Sequence, residues 1–104
     1  MGREADIRKV AEFRKKLSRK IALDAVILFG SRASGTPTRW SDFDLIVVSR
    51  TFEGVDTLER SLGFHEIWGF DDPADFLCYT PEEFERMKGE VSVVREAVHS
   101  GVAF

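Results

Sequence analysis

The sequence predicts a single α/β domain over residues 1–104, from three observations: an amphipathic helical repeat at the start, strand-sized apolar runs in the middle, and a strongly capped helix start near residue 80. A chain of 104 residues with 43% apolar side chains is long enough for one core and too short for two.

From Arg3 to about Lys20, apolar Ile7, Val10, Phe13 or Leu17, and Ile21 recur at spacings of three and four, which predicts a helix. Asp24 to Phe29 (DAVILF) is apolar on both faces and ends at Gly30-Ser31, the pattern of a central strand. Ser31 to Ser41 (SRASGTPTRWS) has room for one helical turn followed by a loop with Gly35 and Pro37. Strand alternation resumes over Asp42 to Ser49, placing Phe43, Leu45 and Val47 on one face and Asp42, Asp44, Ile46 and Val48 on the other.

Val55, Leu58, Leu62 and Trp68 suit a helix starting near Asp56, which Gly63 weakens or ends. A turn at Asp71-Asp72-Pro73 leads into a third strand, Ala74 to Tyr79, with Asp75, Leu77 and Tyr79 on one face. Thr80-Pro81-Glu82-Glu83 then starts a helix to about Lys88, with a Thr cap, Pro at the first position and acids complementing the helix dipole. A last helix is expected from Glu90 to His99, with Val91, Val94 and Val98 on one face and Gly101 as its stop. The apolar end, Val102-Ala103-Phe104, is expected to pack onto the sheet, with a partner surface as the alternative.

Composition narrows the function classes. No apolar run approaches the roughly 20 residues of a membrane helix, and the mixed-charge N-terminus resembles neither a secretory signal nor a transit peptide. With a lone Cys78 there is no internal disulfide framework, and a cytoplasmic location is expected. The net charge of −3 conceals +5 over residues 1–20 and −8 over the remainder. A basic first helix alone is a weak nucleic-acid signature, so nucleic acid is not the expected partner; salt-dependent binding in a titration would reverse that.

The chemistry is concentrated in Gly30-Ser31, ten intervening residues, and Asp42-Phe43-Asp44. Gly30 permits a tight turn, and Ser31 opens the next turn with a hydroxyl and exposed backbone N–H groups suited to phosphate. The two Asp carboxylates project to the same face, about 6.6 Å apart along the backbone, and can converge on a pair of divalent cations. Magnesium suits carboxylate ligands that leave positions open for phosphate oxygens. Asp75 is the best third carboxylate; Asp71 and Asp72 read as loop residues. Shuffling this composition produces the spacing roughly 0.003 times per chain, so the match is specific.

The segment LFGSRASGTPTRWSDFDLIVV (Leu28 to Val48) resembles the signature of the minimal nucleotidyltransferases of the DNA polymerase β-like superfamily, and ADFLCYTPEEFERMK (Ala74 to Lys88) continues it more weakly. The resemblance implies a short mixed sheet bearing the site on one face, with helices packed mainly on the other. It makes Gly30, Ser31 and Arg32 nucleotide-binding, and Asp42, Asp44 and Asp75 both metal ligands and catalytic residues, with Asp75 helping to deprotonate the attacking hydroxyl. It also implies Mg2+, with Mn2+ as substitute, and ATP or another NTP as donor of a nucleoside monophosphate. The implied partner is a HEPN-domain toxin, neutralised by AMPylation. The alternative is a nucleotide-binding or partner-binding module that acts by occlusion. Many relatives read GSRARG, and Ser34 stands where their second Arg would be, which leaves Arg32 and Arg39 as candidate phosphate contacts and Trp40 as a candidate cover for the nucleotide.

Among the remaining residues, Arg32 is open to a surface role as well. His65 and His99 lack metal spacing, Cys78 reads as a buried small hydrophobe, and the nine Phe indicate a generous core.

Overall fold

The computed structural model describes residues 2–34 and 42–104. The loop expected after the first turn, with Gly35, Pro37, Arg39 and Trp40, lies outside the described residues, and so does the side chain of Ser34.

The elements run α1 (Gly2–Leu17), β1 (Leu23–Phe29), α2 (Ser31–Ser34), β2 (Phe43–Ser49), α3 (Phe64–Trp68), β3 (Ala74–Tyr79), α4 (Pro81–Lys88), α5 (Val93–Ser100) and β4 (Val102–Ala103). The strands form one mixed sheet in the order β3-β2-β1-β4. β1 is antiparallel to both β2 and β4, while β2 and β3 are parallel. The C-terminus thus adds a short edge strand, extended by a bond from Phe104 N–H to the Val26 carbonyl.

Alternation divides the core. Val26, Leu28, Phe43, Leu45 and Val47 meet Val10, Phe13 and Leu17 of α1 and Phe64 and Trp68 of α3 in the larger cluster. Phe13 joins the aromatic side chains there, stacking on Phe76 with ring centres 5.2 Å apart and meeting Trp68 edge-on. Ile27, Ile46 and Val48 form a smaller cluster on the other face with Val94 and Ala97 of α5, flanked by Phe84 and Met87 of α4. The bulk of the core is on the α1 face, and α4 and α5 pack on the opposite face, the one that carries the candidate site.

The expected helix from Asp56 is replaced by turns and the short α3. The Asp56 carboxylate accepts a bond from Leu58 N–H, a local turn that competes with helix formation. Leu58 and Leu62 are consequently 88% and 75% exposed, not core residues. What fixes this segment is buried Arg60: its guanidinium donates to the carbonyls of Val55 and Cys78 and grips both oxygens of Glu83. The bond to Cys78, with His65 against the Ala74 carbonyl, also occupies the outer edge of β3.

Helix α4 has the full reciprocal cap: Thr80 accepts from Glu83 N–H, and the Glu83 carboxylate accepts from Thr80 N–H. Helix α5 starts later than expected because Ser92 caps it, accepting from Arg95 N–H. Val91 is left outside at 94% exposure, and the inward residues are Val94 and Ala97, with Val98 half exposed.

Candidate functional site

The residues at one end of the sheet were brought there by strand register. Phe29 pairs with Asp44 across the antiparallel β1–β2 ladder, and Asp44 pairs with Asp75 across the parallel β2–β3 ladder. Since 25, 27 and 29, 44, 46 and 48, and 75, 77 and 79 share the face of the smaller cluster, Phe29, Asp44 and Asp75 form a row across three strands. Asp42 lies exposed just before β2.

Two carboxylates directly opposed on neighbouring strands repel. Burial pushes the Asp44 carboxyl above its ordinary value, and the charges of Asp75 and then Asp42 push it further in the same direction. A divalent cation would relieve that repulsion. Among the described residues, no three His, Cys, Asp or Glu side chains are drawn together as a ready cage. The donor set still fits a hard cation, since it is all oxygen and Asp42 and Asp75 are exposed.

Gly30 closes the site. Its φ of +77° suits glycine, and a Cβ built on it would lie 2.5 Å from Asp44 Oδ2. The residue therefore provides both the turn out of β1 and the space the carboxylate occupies. Ser31 begins α2 directly after it, and Ala33 N–H closes the turn on the Gly30 carbonyl at 3.1 Å.

Arg32 points away from this row. Its Nη1 donates to both oxygens of Asp6, at 3.1 and 3.2 Å, and its Nη2 lies 3.8 Å from Asp72 Oδ1. The guanidinium carbon stacks 4.5 Å from the Phe43 ring centre, on the α1 face. With Arg32 7% and Asp6 3% exposed, the structure places Arg32 in an internal ion pair on the α1 face, not beside the carboxylate row where a phosphate contact was expected. The sequence offered no signal for it, because its partner lies 26 residues away on α1. Asp72, expected as an ordinary loop residue, is likewise held, by Lys9 and Arg32.

Cys78 lies on the α1 face, opposite Asp75, and burial pushes its thiol up to about 12, which leaves it a small hydrophobe at neutral pH. Lys16, Arg19 and Lys20 line an open groove of about 710 Å3 with Leu62, Gly63, Glu66 and Ile67. That groove lies at the C-terminal end of α1, which leads into the start of β1, the strand end remote from Gly30. No described helix is long and apolar enough to cross a membrane.

A family model described as a nucleotidyltransferase domain matches residues 7–102, nearly the whole chain. The chain belongs to that family. Its fold is that of the polymerase β-like nucleotidyltransferases. A crystal structure from Sulfolobus solfataricus, classed as a nucleotidyltransferase, superposes with a TM-score of 0.71 at 19% identity, covering 99% of this nucleotidyltransferase and 82% of the other chain. Another structure given the same class matches at 29% identity over 80% of this chain and 87% of its own, with a TM-score of 0.46 that adds nothing to the fold argument. No curated protein matches the chain.

Proposed function

We propose that this nucleotidyltransferase is magnesium-dependent and transfers AMP from ATP to a hydroxyl of a HEPN-domain partner, acting as an antitoxin in the cytoplasm. The observation that carries the reading is the opposition of Asp44 and Asp75 in register, with Gly30 leaving room for the Asp44 carboxylate. Asp42, Asp44 and Asp75 would hold the cations, and Gly30 and Ser31 would hold the triphosphate.

When bound, magnesium neutralises charge on the reacting phosphate and orients it for in-line displacement. Asp75 accepts the proton of the attacking hydroxyl. The hydroxyl oxygen bonds to the α-phosphorus, the bond from that phosphorus to the bridging oxygen breaks, and pyrophosphate leaves. Asp44 keeps a cation-binding carboxylate where the β1 turn and β3 meet. Arg32 holds α2, and with it Ser31, against α1 through Asp6.

Incubation with α-labelled ATP, magnesium and the HEPN partner tests the reading. Label is expected on the partner and is expected to vanish with Asp44→Ala. Full neutralisation by Asp44→Ala with no labelling by either protein would instead establish occlusion.

A further inference from the structure

Beside the carboxylate row, an open groove of about 390 Å3 is lined by Phe29, Gly30, Val93, Glu96, Ala97 and Ser100. The four α5 residues fall at i, i+3, i+4 and i+7, one stripe of the helix facing the end of β1. We propose that this groove receives the ribonucleoside of the nucleotide substrate, with Glu96 accepting hydrogen bonds from the ribose hydroxyls. The inference rests on the nucleotidyltransferase reading above and adds the place and selectivity of the nucleoside.

Continuity carries the first part. Phe29 is the register partner of Asp44, and Gly30 lies against the same carboxylate, so the groove begins where the carboxylate row ends. In a nucleotide the ribose is bonded directly to the α-phosphate. With that phosphate at Asp44, Asp75 and the Gly30 turn, the next group along the molecule reaches the β1–α5 side.

The lining chemistry carries the second part. Phe29 and Val93 supply apolar surface for a base, with buried Ala97 behind them, and Val93 is 40% exposed although it lines the groove. The volume is at the low end of the roughly 300–1,000 Å3 of small-molecule sites. None of the six described lining residues is cationic, so the described lining is unsuited to phosphate. Glu96 is an acceptor when ionised, and the donors common to all ribonucleotides are the 2′ and 3′ hydroxyls. Ser100 donates its hydroxyl to the Glu96 carbonyl at 2.9 Å, which leaves its lone pairs available as further acceptors. Among the described residues no lining side chain is an amide that would read one base edge, so the groove selects ribose over deoxyribose and tolerates different bases.

The experiment titrates the full-length chain with ATP and with 2′,3′-dideoxy-ATP in magnesium, by calorimetry. Wild type is expected to bind ATP about tenfold more tightly, as suits a hydrogen bond to a charged group. Glu96→Ala should bind ATP only as well as the dideoxy analogue, whose own affinity stays unchanged. Val93→Trp, which fills the groove, should weaken both. Both residues are exposed, so melting curves should show each variant folded. If wild type binds neither nucleotide, the substrate reading itself fails. If wild type binds and both variants match it, the groove assignment alone is overturned. Val93→Trp with intact nucleotide binding but no transfer would give the groove to the acceptor and also overturn the inference.

Discussion

Replacing Arg32 by methionine leaves Asp6 buried without the cation that pairs with it among the described residues. Asp6 is 3% exposed and its two carboxylate oxygens both accept from Arg32 Nη1, so water cannot replace the guanidinium without opening the α1–α2 contact. Breaking a buried ion pair from one side costs about 3–5 kcal/mol. In a domain of this size each kcal/mol lowers Tm by about 4–8 °C, so the melting point should fall by at least about 12 °C. Thermal and urea unfolding in EDTA would measure it with the metal site silent. Asp6→Leu combined with Arg32→Met replaces the pair by apolar groups and should recover most of the loss, since no buried charge is then left unpaired. Arg60→Met is a useful comparator, because its partner Glu83 has a side chain 28% exposed and can turn to water, so its loss should be smaller. An Arg32→Met protein within about 1 kcal/mol of wild type would refute the assignment of Arg32 to the interior.

Three further variants address the carboxylate row. Gly30→Ala should cost about 1–2 kcal/mol from its left-handed backbone alone, with an added penalty from the Cβ against Asp44 Oδ2. Gly30→Ala/Asp44→Ala removes the second part, so a penalty unchanged in that double variant, measured by urea unfolding, would show that the contact is not made. The raised Asp44 pKa gives a pH signature in metal-free protein: the folded chain holds this proton more tightly than the unfolded chain. The group's destabilising effect is therefore absent below the ordinary value of 3.8, develops as pH rises from there through the raised folded value, and stays at its full size above. Asp44→Asn should match wild type in Tm at the acid end and exceed it at pH 7 in EDTA; a lower Tm at pH 7 would contradict the repulsion.

Much of the site was legible in the sequence because strand alternation is a local property. Phe43 to Ser49 and Ala74 to Tyr79 could be assigned faces from their own residues, and that put Asp44 and Asp75 on compatible sides. The register that sets them directly opposite each other belongs to the β2–β3 pairing and is written in neither segment alone. Helix α4 was equally legible, since its cap lies within four consecutive residues. The segment before α3 was not, because its apolar spacing imitates a helix while Asp56 and Arg60 bond elsewhere, Arg60 to a residue 23 positions away. Arg32 presents the same difficulty: its place after a phosphate-type turn is local, while the Asp6 partner that draws it to the α1 face lies 26 residues away.

The stretch from Gly30 to Arg32 sends its two ends to opposite faces of the sheet, and this separates rigidity from chemistry. Gly30 yields space to Asp44, while Arg32 reaches behind β2 to stack on Phe43, the residue between the two Asp side chains. The carboxylate row costs stability, because like charges stand opposite one another at a partly buried position. The ion pair and aromatic cluster on the α1 face offset that cost without occupying the row itself. Variants on the two faces should accordingly have opposite signs in the absence of metal: loss of Arg32 destabilises, and neutralising Asp44 stabilises. Magnesium should narrow the second difference by stabilising wild type alone, in proportion to RT ln(1 + [Mg2+]/Kd), and leave the first largely unchanged.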